Sequence, residues 1–328
     1  MTALALAPRS RAFDLVRRHG RDSVSFQALE AGYRYFFDGD DALVAFVDTG
    51  GAWVAAGGPI APAARAAEVA QRFTDAALAQ RRRACFFAAE QTLDLPALQI
   101  GEQPVWTAAH WPEVLATASS LRYQLRRARR KGVAVRRLAP GELAPGSALH
   151  AALDDLGRRW QNLHRMPPMR FLVQLEPLTL AHERIIYVAE RSGVPVAYAS
   201  AIPVYARQRM FIEDLVRAPD APNGTAELLV DAVMHAVEAA GLPEVTLGLA
   251  PLAGDVARWL RLARWAGGAL YDFDGLRRFK AKLRPHAWEP VYLCASPGGS
   301  RLVALRDSLR AFAGGSLIGF ATRSLLGR

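Results

Sequence analysis

Glu213, Asp214 and Arg217 stand together where an apolar run of Met210, Phe211, Ile212, Leu215 and Val216 ends. A carboxylate can take the proton of an attacking hydroxyl, and a guanidinium can steady an oxyanion or a phosphate. Together such groups can hold an anion or a polarised oxygen. At an ordinary strand end the same charges would simply reach water. Their clustering favours chemistry, because the turn that follows, with Pro219, Asp220, Pro222, Asn223 and Gly224, feeds a helix predicted from Thr225 to Ala240. The free N–H groups and dipole of a helix N-terminus hold anions. No arrangement of Ser, Cys and His suggests a covalent intermediate. His164 falls at helical spacing with Trp160, before Arg165 and the breakers Pro167 and Pro168, and reads as a surface or core-edge histidine.

The elements that must hold these groups come in a repeated order. IIYVAERSG, VPVAYASAIPVY and RMFIEDLV read as strands joined by short turns, followed by the helix and the buried strand VTLGLAPL. Earlier, YRYFF, ALVAFVD and AWVAAGGPI follow one another across Gly39-Asp40-Asp41 and Gly50-Gly51, then an alanine-rich helix over 62–83 and the strand CFFAAE. Residues 13–31 read as a short helix and a polar turn. The pattern predicts a duplicated α/β unit with mixed sheets: residues 1–135, residues 136–295, and an amphipathic tail, 296–328.

Between the units lies the most basic segment, Ser119 to Gly132. Ser119 or Ser120 can cap a helix and Gly132 can end it, with Leu121, Leu125 and Ala128 on one face. Arg122, Arg126, Arg129 and Arg130 crowd the rest, either as a solvated face or as a track for RNA phosphates or lipid headgroups. The tail sets Leu302, Leu305, Leu309 and Phe312, then Leu317, Ile318, Phe320, Leu325 and Leu326, among arginines. Such a stripe docks on the protein's own core or lies in a membrane interface.

With 51% apolar and 22% charged residues among 328, the chain can bury a core. Lys and Arg number 41 against 31 Asp and Glu, and the resulting charge of +10 attracts polyanions. Cys85 and Cys294 sit far apart in apolar stretches, as buried reduced thiols of a cytoplasmic protein do. No apolar run reaches the ~20 residues of a membrane span, so membrane contact is expected to be peripheral, on the inner face of the cytoplasmic membrane.

The order of elements resembles the GNAT acyltransferase fold. Its pyrophosphate loop, Arg/Gln-x-x-Gly-x-Gly/Ala, is absent from both turns, Gly57-Gly58-Pro59-Ile60-Ala61-Pro62 and Pro219-Asp220-Ala221-Pro222-Asn223-Gly224-Thr225. Acetyl-CoA is therefore not expected, and neither another cofactor nor a metal is implied. More specifically, Asp214-Leu215-Val216-Arg217, Ala221-Pro222-Asn223-Gly224-Thr225 with Glu227, Leu247-Gly248-Leu249-Ala250-Pro251-Leu252, Gly275 to Lys282, and Trp288-Glu289-Pro290 with Tyr292-Leu293 follow in order. This set is similar to the C-terminal synthase domain of bacterial phosphatidylglycerol lysyltransferases, the multiple peptide resistance factors, from about Phe26 onward. The resemblance implies two tandem GNAT-like units that move an amino acid from aminoacyl-tRNA to the headgroup hydroxyl of phosphatidylglycerol. Full-length members place a multi-helix membrane flippase before this domain, so a stand-alone synthase or a relative with another acceptor is expected. By resemblance Asp214, Arg217 and Lys280 are catalytic, with Lys280 or Lys282 facing a shared tunnel. Glu213, Asn223, Gly224, Thr225, Glu227, Lys282, Arg122, Arg126 and Arg130 are then expected to bind substrate. Positions 214 and 217 share a site only if the strand ends near Val216. A GNAT-type transferase with another donor and an amine acceptor, or a non-catalytic lipid- or RNA-binding relative, are the rival readings.

Overall fold

The computed structural model describes residues 3–163, 171–172, 179–260 and 272–314. His164, Arg165, Pro167 and Pro168, and the tail beyond Gly314, lie outside the described residues. An opening helix α1 (Ala3–His19) begins ten residues before Phe13 and includes Pro8, earlier than the apolar pattern indicates. It buries Ala12, Leu15 and Val16.

The duplicated plan is present. In the first half β1 (Arg34–Asp38), β2 (Ala42–Asp48) and β3 (Ala52–Ala56) form an antiparallel meander. Helix α2 (Ala66–Ala79) then crosses to β4 (Arg83–Ala89), which lies parallel to β3. In the second half β7 (Ile185–Arg191), β8 (Val194–Val204) and β9 (Arg209–Arg217) repeat the meander. Helix α6 (Thr225–Ala239) crosses to β10 (Glu244–Thr246), parallel to β9. Each crossover covers its strands with an apolar helix face: Val69, Ala70, Phe73 and Ala77 from α2, and Leu229, Val230, Val233 and Val237 from α6.

Three strands have no counterpart in the sequence reading: Ala97–Thr107, Val133–Arg137 and Ala287–Ala295. β5 (Ala97–Thr107) contains Gly101 and Pro104, which read as breakers, yet it stands at the centre of the sheet. Gly101 is needed there, since a Cβ would sit 2.3 Å from the Ala250 carbonyl oxygen. Three further elements lead from it: α3 (Trp111–Thr117), α4 (Ser119–Arg130) and β6 (Val133–Arg137), followed by α5 (Ala148–Leu163). Helix α4 starts at Ser119 itself, after an uncapped Ala118, so neither serine caps it. Gly132, at φ +81°, follows its end.

The stretch expected as one buried strand, VTLGLAPL, is two short ones. β10 stops at Thr246, and β11 (Ala250–Pro251) resumes against β5 after Gly248, at φ +65°. The chain continues through α7 (Phe273–Lys282), β12 (Ala287–Ala295) and α8 (Arg301–Phe312). β12 does not stay with the second meander. It slots between β4 and β5, antiparallel to both.

The result is one continuous sheet in the order β1-β2-β3-β4-β12-β5-β10-β9-β8-β7-β6, with β11 beside β5. The basic helix α4, though it precedes the second meander in sequence, packs on that half: Leu121, Leu125 and Ala128 share a cluster with Leu228, Val230 and Met234 of α6. Cys85 and Cys294 are buried free thiols, and burial pushes both up to about 12.

Candidate active site

The site is built where β9 hands over to α6. The turn between them is set by Gly224, at φ +95°, where a Cβ would lie 2.2 Å from the carbonyl oxygen of Gln124 on α4. Glycine is therefore required twice, by the backbone conformation and by the approach of α4. Thr225 spends its hydroxyl on the Pro222 carbonyl oxygen, at 2.6 Å, rather than capping α6. Among the described residues the amides of Ala226 and Glu227 have no backbone acceptor. They are the open donors of a helix N-terminus.

Around that N-terminus is a cleft of about 270 Å³ lined by Gln124, Arg217, Asn223, Gly224, Ala226, Glu227, Phe279 and Lys282. Arg217 donates one hydrogen bond to the Ala221 carbonyl oxygen, at 3.2 Å, which aims it back along the turn. Lys282, at the end of α7, pairs with Glu227 at 2.7 Å. Two cations, one carboxylate and the positive end of a helix dipole converge, so the cleft favours an anion. Five of the residues expected from sequence meet here: Arg217, Asn223, Gly224, Glu227 and Lys282. Gln124 and Phe279 were not among the expected site residues. Gln124 reaches the cleft from a helix distant in sequence, and Phe279 reads as a core residue.

Asp214 is elsewhere. β9 does not end near Val216 but pairs with β8 through Arg217, in the register Asp214↔Ser200, Leu215↔Ala199, Val216↔Tyr198, Arg217↔Ala197. Side chains alternate along such a strand, so Asp214 and Arg217 face opposite ways. A bulge opposite Ser200 and Ala201 makes Glu213 the extra residue. The two acids lie in a buried network. Arg184 donates to Glu213, to Ser200 Oγ at 3.2 Å, to Glu30 at 3.2 Å and to the Thr179 carbonyl oxygen at 2.7 Å. Asp214 is 5% exposed, and its Oδ2 has no hydrogen-bond partner among the described residues. Burial, then the charge of Glu213, pushes its carboxyl well above the usual range, against the pull of Arg184.

Lys280 occupies a third environment. Its Nζ donates to the carbonyl oxygens of Leu247, Gly248 and Leu249 at 2.8, 2.8 and 2.9 Å. Burial pushes this amine down to about 7. Only the ammonium has three N–H donors, so the geometry holds the charged form against that pull. The residue clamps the gap between β10 and β11 and does not line the cleft. The shared chamber expected for Asp214, Arg217 and Lys280 is thus divided among three places.

The expected basic residues also divide. Arg122 donates to the carbonyl oxygens of Leu115 and Ala116 and so closes the end of α3 instead of presenting a free cation. Arg126 and Arg130 line a groove of about 500 Å³ with Arg129 and the half-exposed Tyr123. Arg129 is tied to Asp231 at 3.2 Å, whereas Arg126 and Arg130 have no acidic partner among the described residues. Because α4 contributes Gln124 to the cleft, groove and cleft share one helix. No group of His, Cys, Asp and Glu among the described residues could hold a metal.

A family model described as phosphatidylglycerol lysyltransferase, C-terminal, matches residues 13–295. The chain belongs to this family. Among curated relatives, the phosphatidylglycerol lysyltransferase of Bacillus subtilis is 29% identical over 126 residues, 36% of this chain and 15% of that protein. A lysylphosphatidylglycerol biosynthesis bifunctional protein LysX of Mycolicibacterium gilvum is 27% identical over 216 residues, 61% of this chain and 19% of that protein. This phosphatidylglycerol lysyltransferase-family chain therefore spans less than a fifth of these relatives. Among solved structures, the C-terminal domain of a putative lysylphosphatidylglycerol synthetase from Agrobacterium fabrum superposes with TM-score 0.80 at 25% identity, covering 95% of this chain and 99% of that one. L-PGS from Bacillus licheniformis shares the fold, at TM-score 0.76 and 21% identity, over 92% and 95% of the two chains. The α/β fold of two similar halves described above is the one shared with these structures.

Proposed function

We propose that this family member transfers an aminoacyl group from a charged tRNA to the headgroup hydroxyl of phosphatidylglycerol, at the inner face of the cytoplasmic membrane. Lysine is the amino acid named by its relatives. One observation carries the reading: Arg217, Lys282, Glu227 and the open amides of α6 converge in a single cleft. The ester donor is already activated, so one addition and one elimination suffice. The lipid hydroxyl oxygen forms a bond to the aminoacyl carbonyl carbon while its proton passes to Glu227. The bond from that carbon to the ribose oxygen then breaks, and the ribose oxygen takes the proton from Glu227. Arg217 and the amides of Ala226 and Glu227 hold the negative charge of the oxyanion or of the flanking phosphate. Lys282 orients Glu227 through their 2.7 Å pair.

Asp214 and Lys280 act as positioning residues. Asp214 lies in the buried acid network on the face of β9 opposite Arg217, and Lys280 ties α7, which carries Lys282, to the carbonyl oxygens of Leu247, Gly248 and Leu249. The donor's phosphates run along α4, where Arg126 and Arg130 have no acidic partner among the described residues. The test is transfer of radiolabelled amino acid from charged tRNA into a chloroform-soluble product with phosphatidylglycerol vesicles. Label in the lipid that is sensitive to RNase and lost in Arg217→Ala and Glu227→Gln is the expected result. No label with any of the twenty amino acids, from folded and vesicle-bound protein, would overturn the reading.

A further inference from the structure

Few large apolar side chains stand in water among the described residues: Leu78, Tyr123, Val194, Trp259, Leu302 and Leu309. The last three belong to two segments seated on one buried cluster, in which Val256 and Leu260 meet Ala304 and Ala311 around Val291 and Leu293. Helix α8 is fastened there by its inner face. Ala304, Ser308 and Ala311 are buried, and Asp307, 1% exposed, is held by Arg83 at 2.6 Å. Its outer face carries Leu302, 60% exposed, and Leu309, 49% exposed, with Arg301 and Arg306 exposed and Arg310 at its edge. Three arginines thus face one acid, Asp307, which is held inward by Arg83 and also pairs with Arg306 at 3.3 Å, so positive charge remains in excess on this face. The other segment presents Arg258 and Trp259 to solvent.

Leucines and a tryptophan among arginines suit a surface that is apolar inside and anionic at its boundary. A second copy of the same face would bring arginines against arginines and is disfavoured by charge. We propose that the outer face of α8, with Trp259, docks this protein on an anionic phospholipid bilayer. Leu302 and Leu309 enter below the headgroups while Arg301, Arg306 and Arg310 meet the phosphates. This deepens the lipid-acceptor reading and rests on it only for the identity of the lipid, since docking is read without turnover.

The experiment is co-sedimentation of the full chain with vesicles of phosphatidylglycerol and phosphatidylcholine, beside vesicles of phosphatidylcholine alone. Wild type should partition to the anionic vesicles, and L302D/L309D should weaken that partition at least about tenfold. The triple variant R301Q/R306Q/R310Q should lose the preference for anionic over neutral vesicles. These changes lie on the outer face or at its edge, and unchanged circular dichroism checks the fold. In the transfer assay L302D/L309D should match wild type on detergent-dispersed phosphatidylglycerol and fall behind on vesicles. Wild-type vesicle binding that the leucine pair abolishes, with no transfer by wild type under any condition, would sink the proposed reaction and leave the docking face standing. Undiminished sedimentation of L302D/L309D would overturn the proposal. So would binding that survives that pair but is lost in L317D/F320D, which would put the contact beyond α8. A wild-type dimer turned monomeric by L302D/L309D in sedimentation velocity would assign the face to a second copy instead.

Discussion

At the scale of single residues the cleft makes unequal demands on its charges. Arg217 is half-buried and aimed by one carbonyl, so Arg217→Ala should remove about two orders of magnitude of transfer rate while moving the melting temperature little. Steady-state transfer and thermal unfolding on the same preparation check this. Lys280→Met should do the reverse in emphasis. It strands three buried carbonyl oxygens, each worth about 1–3 kcal/mol when left unpaired, so a large loss of denaturant stability is expected before any kinetic effect is read. A pH signature belongs to Asp22, which accepts the Gly58 amide at 2.6 Å beneath the Gly57-Gly58-Pro59 turn. Burial, then the neighbouring charge of Glu90, pushes its carboxyl up to about 7 from 3.8. Between those values the folded chain keeps a proton that the unfolded chain releases. Stability contributed here is full below the lower value and declines as pH rises toward 7, by at most about 1.4 kcal/mol per pH unit. Asp22→Asn keeps an acceptor for Gly58 and should flatten that slope in urea unfolding between pH 5 and 7. Glu289 runs the other way. Burial would raise it, but Arg209 and Arg207 hold it at about 2, so its contribution is present above the usual carboxylate range and lost as pH falls toward 2.

At the scale of elements, the strand, turn and helix that make the cleft were legible because each residue speaks for itself locally. Apolar residues alternate or run together, Asn223-Gly224 turns the chain, and Thr225 opens a helix. The direction in which Asp214 points was not legible, because it depends on β9 continuing to Arg217 and on a bulge set by β8. Gln124 was equally hidden, since nothing local brings α4 against Gly224. β5 was missed for a different reason. Its Gly101 and Pro104 have poor strand propensity, and they are tolerated because Gly101 lets the Ala250 carbonyl approach and Pro104 needs no amide partner while its oxygen accepts from Thr246 at 2.8 Å. Gly224→Ala tests the packing between elements. A methyl group at φ +95° and 2.2 Å from Gln124 O must push α4 away from α6, and a loss of roughly 1–3 kcal/mol or more is expected in chemical unfolding. Gly132, also at positive φ but with nothing within 4 Å of an added Cβ, should cost less in the same measurement when changed to alanine.

At the scale of the whole molecule, the net charge of +10 is distributed so that most arginines in and beside β1, α2 and β4 are already paired: Arg34 and Arg82 with Asp48, Arg65 and Arg72 with Asp38, Arg83 with Asp307. Among the described residues Arg126 and Arg130 on α4 are not. Affinity for a tRNA acceptor helix should therefore fall steeply with salt, and Arg126→Gln with Arg130→Gln should reduce the slope of log affinity against log salt by about two. Filter binding over a salt series reads it directly.

The place of β12 bears on how such a chain is made. The first meander, α2 and β4 leave the ribosome early, yet the strand that lies beside β4 is 287–295, and β5 waits for the same partner. Until residues 287–295 emerge, two strand edges at the middle of the future sheet stand unpaired, with Phe86 and Leu98 beside them. A nascent chain stalled or truncated before Ala287 is thus a ready template for wrong pairing, and premature release rather than any surface lesion is the event against which a cell would need a chaperone.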